Sequence, residues 1–275
     1  MIGCVHILGA SNYAIAMKTL YIDCRSGASG DMFLGAFIDV GVPEHVLVDG
    51  LASLGLNEFT LDIKKKEHNG IQVTDIDVVL HNKDHAWIHP YSGKYRNYGE
   101  IKEMIGRSGL SDNAKAVSRR IFDIKAEAES EAHCVPVNEV QFHEVGAVDS
   151  IVDIVGSAIC LDYLAPDRVC AVPVPTGYGT IMCACGELPV PAPATQAIIR
   201  NTDLPNYRSD IEQELLTPTG AAILAGIVDE FIDENVINDI ISGETGESIL
   251  IGRGTGKRDT GLPPLCLLLR TAVRK

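Results

Sequence analysis

Asp149 and Asp153 are the residues of this sequence best spaced for chemistry. They stand four apart in Ala147-Val-Asp-Ser-Ile-Val-Asp-Ile-Val-Gly156, which on a helix puts two carboxylates on one face, one turn above the other. There they can share a cation or a basic partner. The surrounding run is apolar on most sides and should be buried, where carboxylates are costly unless hydrogen-bonded, paired or bound to a cation. His143 and Glu144 come just before it and add an imidazole and a third carboxylate to a candidate metal or catalytic centre. A purely structural alternative has Asp149 serving the first turn as a cap or dipole partner and Asp153 pairing with an arginine elsewhere.

A second metal-directed pattern is His81, Asp84, His85 and His89. Imidazole suits nickel, zinc and copper, and a histidine-rich loop can capture such ions and hand them on. Pro90 and Gly93 favour a loop over a helix here, and a solvated polar loop is the alternative. Two glycine-bearing segments offer anion chemistry. Asp23 and Asp31 bracket Ser26-Gly-Ala-Ser-Gly30, a turn whose backbone N–H groups can cradle an anion at a helix N-terminus while the carboxylates hold a bridging cation. The alternative is a plain glycine turn capped by Asp31. Gly252-Arg-Gly-Thr-Gly-Lys-Arg-Asp259 joins close-approach glycines to Arg253, Lys257 and Arg258, a phosphate or carboxylate clasp or else a hairpin loop with solvated charges. The P-loop ending, the G-x-S-x-G elbow, H-E-x-x-H and the kinase signatures do not occur, so those readings have no support.

The elements that must position these residues follow from pattern. Thr19 to Cys24 reads as a buried strand, Asp31 to Val40 as a helix after the glycine turn, and Pro43 to Leu54 as a second helix. Phe59 to Lys64 and Ile71 to Leu80 read as strands joined at the hairpin signal Asn69-Gly70. Residues 81 to 96 read as a loop. Helices are expected over Tyr98 to Arg107, Ser111 to Glu131 and Ala147 to Leu164. Thereafter short strands (Val169 to Val174, Gly179 to Cys183) alternate with helices entered at Pro189 to Pro193 and Thr217 to Ala222. Two last strands, Glu247 to Ile251 and Leu265 to Arg270, are joined by the glycine-rich basic loop. The predicted fold is α/β (mixed α+β), one mixed sheet flanked by helices with a less regular C-terminal half. Residues 1–16 are expected to be a non-native or disordered extension, and 17–275 a single domain.

With 275 residues and 46% apolar content, the chain can build a sizeable core. A net charge of -14 argues against broad binding of nucleic acid, which needs a cationic face. Lys64 to Lys66 read as a solvated sheet edge. No apolar stretch is long enough for a membrane span. Eight cysteines without a Cys-x-x-Cys pair suit a reducing compartment, and a cytoplasmic location is expected. Cys183-x-Cys185 is a weak metal signal beside the alternative of strand thiols.

Taken together, Asp23 to Met32, the histidine-bearing loop, Phe142 to Gly156, Val172-Pro-Val-Pro-Thr-Gly177, Pro189 to Thr195 and Leu216-Thr-Pro-Thr-Gly-Ala-Ala222 resemble the nickel insertion protein family (LarC), in order and in spacing, from about Met17 to the C-terminus. The resemblance implies an enzyme, a nickel insertion lyase or cyclometallase, that inserts nickel into pyridinium-3,5-bisthiocarboxylic acid mononucleotide. The product is the nickel-pincer nucleotide cofactor of lactate racemase, and the reaction depends on CTP with Mn2+ or Mg2+. It further implies that the chain is the N-terminal portion of a longer protein, the CTP-associated C-terminal domain being a companion domain or chain. Carried onto this sequence, it assigns nickel capture to His81, His85 and His89. The metal or catalytic centre falls to His143, Glu144, Asp149 and Asp153, with Asp23 and Asp31 as cation ligands or as the base for the ring proton. Gly27 and Gly30, with Arg253 and Lys257, would hold the mononucleotide phosphate. A homo-oligomer is expected. Two other readings stay open: a nickel metallochaperone without catalysis, and a phosphohydrolase using Asp23, Asp31, Asp149 and Asp153 around two magnesium or manganese ions.

Overall fold

A computed structural model describes residues 16–81, 96–142, 148–183, 186–243, 248–258 and 261–273. Its centre is a seven-stranded mixed sheet. The strands are β1 (Ala16–Asp23), β2 (Phe59–His68), β3 (Ile71–Leu80), β4 (Arg168–Ala171), β9 (Glu230–Phe231), β10 (Ser248–Thr255) and β11 (Leu265–Val273), in the order β2-β3-β10-β11-β1-β4-β9. β1 runs parallel to β4, β4 to β9, and β10 to β3, whereas β11 is antiparallel to both β1 and β10. It follows that β1, β3, β4, β9 and β10 all point the same way and end at one edge of the sheet. In open α/β sheets that carboxyl edge is where ligands bind.

Local sequence explains most elements. Asn69 and Gly70 both take positive φ, 53° and 76°, as a two-residue hairpin turn between β2 and β3 requires. β2 lies at the sheet edge and carries Lys64, Lys65 and Lys66, each paired with an aspartate; charges of this kind keep an edge from pairing with another sheet. Helix α1 (Gly30–Asp39) follows the glycine turn, and α2 is Glu44–Ala52. Helix α3 (Tyr98–Arg107) begins with a capping box made by Asn97 and Glu100, and Ser111 caps α4 (Asp112–His133) through the Ala114 N–H. Helix α5 (Val148–Leu164) is buried along most of its length, with Asp149 and Asp153 on its half-exposed positions.

Three features depart from expectation. The glycine-rich basic segment is only partly a loop: Gly252 to Thr255 lie inside β10, Gly256 to Arg258 leave it, and β10 with β11 forms the middle of the sheet. The stretch Val169 to Val174 is not one strand, because β4 ends at Ala171 and the two-residue β5 (Val174–Pro175) pairs with β8 (Asn206–Tyr207) away from the main sheet. Pro173 cannot donate to a ladder, which accounts for the break. Helix α8 (Glu234–Ser242), capped by the Asp233 side chain and closed by Gly243 in the left-handed region, was not expected. The remaining elements, β6 (Thr180–Cys183), β7 (Gly186–Pro189), α6 (Pro193–Thr202) and α7 (Pro218–Ile227), follow the proline and glycine punctuation of the sequence.

Candidate functional site

The turn between β1 and α1 sits at the carboxyl edge of the sheet and is tied to the entry of α7. The Ala28 N–H donates to Leu215 O at 2.8 Å and the Thr217 N–H donates to Ala28 O at 3.1 Å. Both contacts need glycine. A Cβ on Gly27, whose φ is 101°, would lie 2.1 Å from Leu215 O, and one on Gly220 would lie 2.1 Å from Ala28 O. The first turns of α1 and α7 are thereby held side by side, with Thr217 capping α7 through the Gly220 N–H at 3.1 Å.

The acidic face of α5 closes against the same turn. A Cβ on Gly30 would fall 2.2 Å from Asp153 Oδ2, so the absence of a side chain at residue 30 lets the Asp153 carboxylate lie directly on the α1 N-terminus, where the helix dipole favours an anion. Asp31 accepts hydrogen bonds from its neighbour Ser29, from the Met32 N–H at 2.9 Å and from the Lys257 N–H at 3.2 Å. The Lys257 ammonium meets Asp77 of β3 at 3.2 Å. Partial burial disfavours its charge, but Asp149, Asp77 and Asp31 outweigh that and hold the amine above its ordinary value. Gly30, Asp31, Asp149, Asp153 and Lys257 are therefore brought together.

Other candidates lie elsewhere. Asp23 accepts from the Arg25 guanidinium at 2.8 and 2.7 Å, and that pairing raises the Arg25 pKa. Gly252 and Gly254 face α1: a Cβ on either would lie 2.2 Å from Ala36 O or 1.9 Å from Met32 O. Alternation along the strand puts Arg253 on the opposite face of the sheet. Its partner in register is Cys266, which in turn pairs with Asp23, so Arg253, Cys266 and Asp23 share that opposite face. Burial, with Asp23 adding to it, pushes the Cys266 thiol up to about 11, well away from thiolate chemistry at neutral pH. The glycines once read as an anion clasp serve instead to let α1 pack on β10. His81 is exposed at the end of β3, with its N–H donating to Glu58 O at 2.9 Å. His85, His89, His143, Glu144 and Cys185 lie outside the described residues. Among the described residues, no group of three His, Cys, Asp or Glu side chains is placed to hold a metal ion, and no helix is long and apolar enough to cross a membrane.

Sequence reasoning missed three parts of this region. Asp77 was read only as a strand position. A cleft of about 490 Å3 opens between Thr180–Met182 and Glu212–Glu214, bordered by Arg258, whose guanidinium meets the buried Glu214 carboxylate at 3.0 Å. Lys125, 1% exposed, lies in the interior at the first turns of α5 and α7. A signal for Lys125 existed: it continues the buried stripe Ala114, Val117, Ser118, Ile121, Phe122 of α4, where helical periodicity calls for an apolar residue.

This geometry defines an α/β protein with an acidic site beside two helix N-termini, at the carboxyl edge of parallel strands and flanked by a lysine. Such a site suits a cation together with an anionic ligand. The profile of the family described as nickel insertion protein matches residues 20–272, and the chain belongs to that family. A relative from Acetivibrio thermocellus, named pyridinium-3,5-bisthiocarboxylic acid mononucleotide nickel insertion protein, is 40% identical over 245 residues, covering 89% of this chain and 58% of the relative. Proteins of the same name from Clostridium kluyveri and Geobacillus kaustophilus are 43% and 44% identical, covering 90% and 94% of this chain and 60% of each relative. The chain thus spans about 60% of the length of these relatives. No solved structure matches it.

Proposed function

We propose that this chain is the nickel-handling part of an enzyme that inserts nickel into pyridinium-3,5-bisthiocarboxylic acid mononucleotide, in the biosynthesis of the nickel-pincer cofactor of lactate racemase. The observation that carries this reading is the coincidence of family membership with the gathering of Asp31, Asp149, Asp153 and Lys257 at the α1 N-terminus. The named relatives act on a substrate with a phosphate, two thiocarboxylates and a cationic ring. Nickel is a substrate here, and it replaces a ring proton that a base must accept. In this reading Asp149 and Asp153, with His143 and Glu144 from the preceding segment, present nickel and take that proton. The Ser29 and Gly30 N–H groups, presented by the turn that Gly27 shapes, and the Lys257 ammonium receive the phosphate. Arg258, beside Lys257 in sequence, borders the cleft and offers a bidentate donor to a thiocarboxylate. Asp23 and Arg253 act from the far face of the sheet, in support of the turn, and His81, His85 and His89 collect nickel.

Dependence on CTP with manganese or magnesium, a C-terminal companion domain or chain that supplies it, a cytoplasmic homo-oligomer and the lyase class all belong to the same proposal. Their support is the resemblance and the length of the relatives. The test is anaerobic incubation with the bisthiocarboxylate mononucleotide, nickel, CTP and manganese, with and without the C-terminal domain of a relative, following the product by mass spectrometry. We expect nickel-pincer product at least when that domain is present, and none from a folded His143→Ala chain. Nickel binding without product in either arrangement would move the assignment to a metallochaperone, and phosphate release without nickel to a phosphohydrolase.

A further inference from the structure

Lys125 is a cation where cations are disfavoured. Its ammonium donates to Ser150 Oγ at 2.6 Å and to Thr219 Oγ1 at 2.8 Å, and it lies 5.3 Å from the centre of the Phe142 ring. Ser150 is in the first turn of α5 and Thr219 in the first turn of α7, so a buried positive charge faces the positive ends of two helix dipoles. A buried lysine is costly unless its donors are matched, so it is not there merely to fill space. Its position relative to the site explains it: Ser150 adjoins Asp149 and lies one helical turn from Asp153, Thr219 adjoins Gly220, which abuts Ala28, and Phe142 adjoins His143.

We propose that Lys125 is the positioning residue of this site. An ammonium can only donate, so Ser150 and Thr219 both accept from it and their own protons turn away from it. One interior group thus fixes the height and rotation of the α5 acidic turn against the α7 entry, and through Ala28 against the α1 turn. The functional weight of this arrangement rests on the nickel-insertion reading; the pinning itself does not.

The experiment uses Lys125→Met, Thr219→Val and Thr219→Ser in the chain combined with the domain that supports turnover by wild type. Lys125→Met should fold, with a melting temperature below that of wild type because the buried Ser150 and Thr219 hydroxyls lose their donor. Its kcat should fall ten- to a hundredfold while KM for nickel and for the mononucleotide changes less than threefold, the pattern of lost transition-state alignment. Thr219→Val should fall at least fivefold and Thr219→Ser, which keeps the hydroxyl, should stay within twofold. Hydrogen exchange at 148–152 and 218–222 should quicken in Lys125→Met more than it does in the rest of the core. Wild-type activity reports on the nickel-insertion reading separately, and if wild type is inactive the exchange data alone decide the pinning. Unchanged exchange, a kcat within threefold of wild type, or a Lys125→Met chain that fails to fold would each overturn the proposal, the last by making the lysine a requirement of folding.

Discussion

The segments Ser26 to Gly30 and Gly252 to Gly256 are alike in composition and opposite in use. Both carry closely spaced glycines beside charged residues, and both read as anion clasps. In the first, the glycines turn the chain at the carboxyl edge and admit Leu215 and Asp153 against the backbone. In the second, Gly252 and Gly254 sit in a central strand and admit helix α1. The two meet where the Lys257 N–H reaches Asp31, so the packing role of one segment positions the chemistry of the other. Glycine density announces a close approach of backbone; it does not say to what.

The comparison can be broken at either segment. Gly254→Ala should have the largest effect, a stability loss of about 3 kcal/mol in urea denaturation, since α1 must lift off β10 to make room. A stable Gly254→Ala chain would remove the packing role. Gly30→Ala should cost less, about 1–2 kcal/mol, but should depress nickel insertion more than tenfold in single-turnover assays by displacing Asp153. A loss of activity no greater than the loss of folded protein would show that Gly30 is a packing glycine too. Lys257→Met should be the mildest, below about 1 kcal/mol because the ammonium is half exposed. The folded-state pKa of Lys257 is raised above its ordinary 10.5, so the contribution of its charge is fully present below that value and is lost as pH rises through the folded value. Urea midpoints of wild type and Lys257→Met should therefore differ by a constant amount from pH 6 to 9 and converge in more alkaline solution.

Much of the frame was legible along the chain. The hairpin at Asn69-Gly70, the helix starts at Tyr98 and Ser111, the prolines opening α6 and α7, and the buried helix with its two aspartates are local signals, each with a local cause. The elements missed include the short β7, β8 and β9 and helix α8, too brief or too weakly periodic to stand out. Of the site, the pairing of Asp149 with Asp153 on one face was readable because helical spacing alone dictates it. The separation of Asp23 and Arg253 from Asp31 and Lys257 was not. Each pair is close in sequence to the other, and only strand alternation referred to α1 tells the faces apart.

The sequence by itself determined the mixed α/β class, the family and the acidic turn of α5, because period, punctuation and motif order are properties of neighbours along the chain. Tertiary structure decided which glycines serve α1 and which serve the turn, placed Asp153 on the α1 N-terminus, and set Lys125 between two helix starts. Those outcomes depend on contacts between segments 25 to 222 residues apart, and no local preference specifies them.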